Sequence, residues 1–153
     1  MTKTSHLLKI ERLAQDLIRQ HLPTEHGWKF AWGKGKRSVG FCDWASREIR
    51  LSRFFAEVNT IERMRETILH EIAHACAGPR AGHGAAWKAE CVRLGCPPER
   101  LANPEDIVAV PGAWTIECPR CGVLGQRHRP IKIEQYRCRH CRSRLDIYRT
   151  VQR

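Results

Sequence analysis

Residues 67–75 read Thr67-Ile-Leu-His70-Glu71-Ile-Ala-His74-Ala75, and this stretch decides the fold. Histidines four positions apart share one face of a helix, about a turn from each other. Both imidazoles can therefore reach a single metal ion. Glu71 sits about 100° round the helix from His70, beside such an ion rather than on it. The chemistry expected is that of zinc. The ion brings a bound water to a pKa of about 7, a positioned carboxylate takes its proton, and the water attacks a carbonyl polarised by the same ion. A catalytic zinc takes three protein ligands and keeps one position open, so a third ligand must come from elsewhere. One class of these sites has its third histidine at what is position 80 here, and that residue is Arg80. His83 is the better choice, because Gly82 and Gly84 let the chain fold back after Gly78-Pro79. Glu90 is the alternative ligand.

Working outward, Ile61, Met64, Ile68, Ile72 and Ala75 give the same helix one apolar face. Asn59, three residues before Glu62, is expected to cap it, and Ala77-Gly78-Pro79 to end it. Helical spacing returns from Ala85 to Leu94 through Trp87 and Cys91, and stops at Gly95. Upstream, Leu7, Ile10, Leu13, Ala14, Leu17 and Ile18 predict an amphipathic helix over residues 4–21, closed by Pro23. Three short runs, 28–32, 39–44 and 48–52, read as strands, and their closeness predicts a small antiparallel meander. Lys34, Lys36 and Arg37 read as a solvated hairpin tip. Pro97-Pro98 and Pro104 mark irregular chain up to Gly112, and the composition changes at Trp114. The division expected is 1–112 and 113–153, in the α+β class.

The second part carries Cys118-Pro-Arg-Cys121 and Cys138-Arg-His-Cys141, two knuckles at the spacing of a four-cysteine zinc site. A closed tetrathiolate has no vacant position, so this zinc is structural. So short a segment cannot build an adequate apolar core, and the metal supplies folding free energy in its place. Cys42, Cys76, Cys91 and Cys96 have no paired spacing and read as small buried hydrophobes.

Of a net charge of +11 over 153 residues, residues 118–153 hold +8, from ten Lys/Arg and two acids. Four zinc-bound thiolates reduce this to about +6. Arg120, Arg127, Arg129, Arg137, Arg139, Arg142 and Arg144 lie there, with Tyr136 among them. Cations that neutralise phosphates beside a ring that stacks on bases suit nucleic acid bound without regard to sequence. The partner expected is DNA, single-stranded or sequence-independent. A solvated ribbon is the plainer reading of the same charges. No apolar run approaches the length of a membrane span, and the N-terminus has no export-signal pattern. The expected setting is the cytoplasm, at the nucleoid, with no membrane partner and no small-molecule cofactor.

These residues together resemble the SprT-like metalloproteases, the group that includes the Spartan DNA–protein crosslink proteases. The resemblance rests on the N-terminal helix, the small sheet, the Thr67–Ala75 stretch, His83-Gly84-Ala-Ala-Trp87, Leu94-Gly95 and the two-knuckle ribbon. With no long tail after the ribbon, it is to the short bacterial or phage-type members. The resemblance implies a compact zincin-like domain in which His70, His74 and His83 hold zinc and Glu71 is the catalytic acid/base. It also implies two zinc ions, one catalytic and one structural, and cleavage of proteins bound or crosslinked to DNA. The residue that stabilises the oxyanion is not identified. The rival class is a nucleic-acid-binding zinc module whose zincin scaffold is catalytically weak or inactive.

Overall fold

The computed structural model describes residues 3–99 and 108–150, and the chain divides between Ala109 and Val110 into two compact units. The irregular stretch expected around Pro104 lies outside the described residues. No helix among the described residues is long and apolar enough to cross a membrane.

The first unit opens with helix α1 (Lys3–His21), which buries Leu7, Ile10, Ala14, Leu17 and Ile18 along one stripe. Three strands follow: β1 (Lys29–Gly33), β2 (Gly40–Asp43) and β3 (Glu48–Ser52). Their order is β1-β3-β2, with β1 parallel and β2 antiparallel to β3. The sheet is therefore mixed, which corrects the antiparallel meander expected from strand proximity. The cause lies in β3, whose Ile49 and Leu51 are fully buried and claim the centre, whereas Phe41 of β2 is 57% exposed. Residues 34–39 then have to cross two strand spacings, about 10 Å, well within the reach of six residues. Ser52 fastens this crossing at the end of β3. Its N–H donates to Val39 O at 2.8 Å, and its hydroxyl donates to Gly35 O.

Ser52 also caps a short helix that periodicity does not reveal, α2 (Arg53–Val58), by accepting from Phe55 N–H. Asn59 ends that helix rather than starting the next. Its side-chain amide donates to Phe55 O and Val108 O, and its carbonyl accepts from Val108 N–H. Thr60 is the true cap of α3 (Ile61–Ala77), accepting from Arg63 N–H. The long helix lies across the sheet and touches α1, β2, β3 and α4 (Ala85–Leu94). Met64, Ile68, Leu69 and Ile72 are fully buried, each contributing roughly 1.5–3 kcal/mol by leaving water.

The second unit is an antiparallel sheet of β4 (Trp114–Cys118), β5 (Gly122–Arg127) and β6 (Asp146–Arg149), in the order β5-β4-β6. Its two tight turns are alike. The residue after the second cysteine of each has positive φ: Gly122 at 81° and Arg142 at 62°. In the second turn, Arg142 N–H donates to Cys138 O and Cys138 N–H to Ser143 O.

Candidate metal centre

Helix α3 presents His70, Glu71 and His74, and the loop from Gly78 to Gly84 returns His83 to them. The Nε2 atoms of His74 and His83 are 3.2 Å apart, and those of His83 and His70 are 3.3 Å apart. Two nitrogens bound tetrahedrally at the zinc–nitrogen distance stand about 3.3 Å apart. The three imidazoles thus form a ready-made donor set, able to hold a metal ion and compatible with zinc. Glu90 is not part of it, since its carboxylate pairs with Arg93 at 2.6 Å.

Trp87, fully buried on α4, closes the site from behind. Its ring lies 4.8 Å from His70, 5.4 Å from His74 and 4.6 Å from His83, centroid to centroid. Burial favours the neutral form of His70 and His74, the form that a metal requires. Burial lowers His70 to about 4, helped by His74 and His83, and lowers His74 to about 4, helped by His83.

Glu71 is 8% exposed. Burial pushes its carboxyl up to about 8, opposed by the nearby Cys42 N–H. A groove of about 710 Å³ runs in front, walled by β2 on one side and α3 on the other. Gly40, Cys42, Thr67, His70, Glu71 and His83 are among its lining residues. Nothing in the spacing of residues 39–44 marks β2 as a wall of this site. A glycine inside a strand, Gly40, was the available signal of a close backbone approach.

The second cluster joins the two knuckles. All four Sγ atoms lie within 4.8 Å of one another, with Cys118–Cys141 at 3.4 Å and Cys138–Cys121 at 3.8 Å. Sulfurs around zinc stand about 3.8 Å apart, whereas a disulfide requires about 2.05 Å. All eight cysteines are free thiols. The Ser143 hydroxyl, 3.3 Å from Cys141 Sγ, lowers that thiol to about 6, with help from Ser143 N–H. Backbone N–H groups of Cys141 and His140 lower Cys138. Cys121 shifts the other way, pushed up to about 12 by its hydrogen bond to Cys141.

Arg120, Arg127, Arg129, Arg137, Arg139, Arg142, Arg144 and Tyr136 are all exposed. The structure sorts them into different places. Arg127 and Arg149 flank Trp114 across the sheet, and the Arg149 guanidinium lies 5.2 Å from the indole centroid. Arg137 pairs with Arg144 in an isolated bridge, and its guanidinium donates to Glu134 O and Tyr136 O. Arg120, Arg139 and Arg142 lie on the knuckles.

A family model described as the SprT-like family matches residues 9–105. The germ cell nuclear acidic protein of Drosophila melanogaster is 28% identical over 100 residues, covering 60% of this chain and 9% of that protein. The chain thus corresponds to a small part of that relative's length. No solved structure matches significantly.

Proposed function

The chain belongs to the SprT-like family, and on that premise we propose that it is a zinc-dependent endopeptidase of zincin-like fold that cleaves proteins bound or crosslinked to DNA. The observation that carries this reading is the convergence of three Nε2 atoms beside a buried glutamate at the floor of an open groove. His70, His74 and His83 would hold the catalytic ion, and Cys118, Cys121, Cys138 and Cys141 a structural one. When bound by the histidines, zinc supplies Lewis acidity and an acidified water.

The remaining chemistry falls to the protein. Glu71 accepts a proton from the attacking water at its carboxylate and returns it to the leaving amine nitrogen. Cys42 N–H holds that carboxylate from one side. Trp87 shuts the rear of the imidazole cluster. The exposed arginines of the second unit, with Tyr136, would bring the enzyme to DNA by phosphate neutralisation and stacking, raising the local concentration of DNA-bound substrate.

Glu71→Gln is the test. It is expected to retain two zinc equivalents and DNA affinity while losing about 10²–10⁴-fold in the cleavage rate of a DNA-bound protein. Cleavage at the wild-type rate rejects the mechanism. A wild-type protein that binds DNA and zinc but cleaves nothing favours the rival binding module.

A further inference from the structure

We propose that Gly40 and the backbone N–H of Cys42 act together as a positioning clamp on the Glu71 carboxylate, a role that rests on the peptidase reading above. Val39 O accepts from Ser52 N–H, so in an antiparallel pair the hydrogen-bonded positions alternate as Val39, Phe41 and Asp43. Gly40 and Cys42 therefore turn their N–H and C=O groups away from β3, along the outer edge of the sheet. Such an edge normally offers unpaired groups to any strand that arrives. Here Gly40 O accepts from the Ser38 hydroxyl, and the outward Cys42 N–H is left on the Glu71 side, where it favours the ionised carboxylate.

For that N–H to reach the carboxylate β2 must lie directly on α3, and at residue 40 the strand comes up against the side chains of the helix. A Cβ placed on Gly40 would stand 2.8 Å from Glu71 Oε1, 2.9 Å from Glu71 Cγ and 2.8 Å from Thr67 Cγ2. Thr67 and Glu71 are one helical turn apart, so the bare Cα of Gly40 sits over the gap between them. Any side chain there either lifts β2 away, which breaks the Cys42 bond, or pushes the carboxylate aside. The absence of a side chain is thus the feature that lets a strand hold the general base. Gly40 is a positioning residue. Its effect on the reaction passes through Glu71, and a displacement near 1 Å is enough to cost about 10²-fold in rate.

The first test is Gly40→Ala in the full zinc-loaded chain. Expected are a roughly 10- to 100-fold fall in kcat, an unchanged KM, and unchanged zinc content. Wild-type kcat in this folded variant overturns the clamp. Thr67→Ala added to Gly40→Ala separates positioning from packing. It makes room on the threonine side only, so melting temperature is expected to recover while kcat stays low. Recovery of both makes Gly40 a packing residue and overturns the proposal. The Cys42 amide proton gives a readout that needs no turnover. In wild type it should lie downfield as a donor to a carboxylate, and it should move upfield in Gly40→Ala and in Glu71→Gln. An amide signal unmoved in either variant overturns the clamp, even if Gly40→Ala alone were too unstable for kinetics. A wild-type chain without peptidase activity defeats the proposed function instead, and the amide signal still decides the clamp.

Discussion

Residue 142 is an arginine where its counterpart in the first knuckle is a glycine, although both backbones have positive φ. A side chain in that region costs roughly 1–2 kcal/mol, and glycine returns part of it as lost chain freedom. Arg142→Gly is therefore expected to stabilise the second unit by about 0.5–1 kcal/mol, and Gly122→Ala to destabilise it by about 1 kcal/mol. Chelator-induced unfolding of the full chain measures both. If Arg142 contacts phosphate, the stabilised variant should also bind DNA with a shallower salt dependence. Equal stability of Arg142→Gly and wild type contradicts the strain argument. At this scale the sequence was legible wherever spacing alone creates the geometry, as with His70 and His74 or the cysteine pairs. It revealed neither Gly40 nor the Cys42 N–H, because their meaning comes from a strand and a helix that meet only in three dimensions.

Among the elements, helices α1, α3 and α4 were read well, since a stripe of apolar residues at every third or fourth position is a local signal, whereas the six residues of α2 are too few to show one. The sheet was misread for the opposite reason. Strand order depends on which strand buries most, and Ile49 and Leu51 draw β3 into the centre. The turn between β2 and β3 depends on Asp43, whose Oδ1 accepts from Ala45 N–H at 3.0 Å and Ser46 N–H at 3.2 Å. Its Oδ2 lies 3.0 Å from Arg50. The Ser46 hydrogen bonds, backbone first, hold this carboxyl below the ordinary aspartate range, with Arg50 assisting. A lowered carboxyl stabilises the fold above the unfolded pKa near 4, and the contribution disappears as pH falls through the folded value. The melting-temperature gap between wild type and Asp43→Asn should therefore be present at pH 6 and close below about pH 4. A gap that widens on acidification refutes this assignment.

For the molecule as a whole, the expectation is two zinc ions with different accessibility. A site with a vacant position exchanges with solvent, whereas a closed tetrathiolate is bound up with the folding of its unit. Limited chelation should remove one equivalent and abolish cleavage while the second unit stays folded. A harsher chelator should remove the other equivalent and unfold that unit. Release of both ions in one step refutes the scheme. The charge asymmetry, visible in composition alone, leads to a further measurement. The logarithm of DNA affinity should fall with the logarithm of salt at a slope of about −0.7 per contacted phosphate on single strands. A flat response removes the case for the exposed arginines.

Trp87 has one more consequence. Its indole is in contact range of all three imidazoles and is the one fully buried tryptophan among the described residues. An ion held by the three rings would change the charge and polarity beside the indole, and with them its emission. The fold therefore carries its own fluorescent gauge of occupancy. Filling or emptying the histidine cluster could be followed by light, in the unlabelled protein, without waiting for a peptide bond to break.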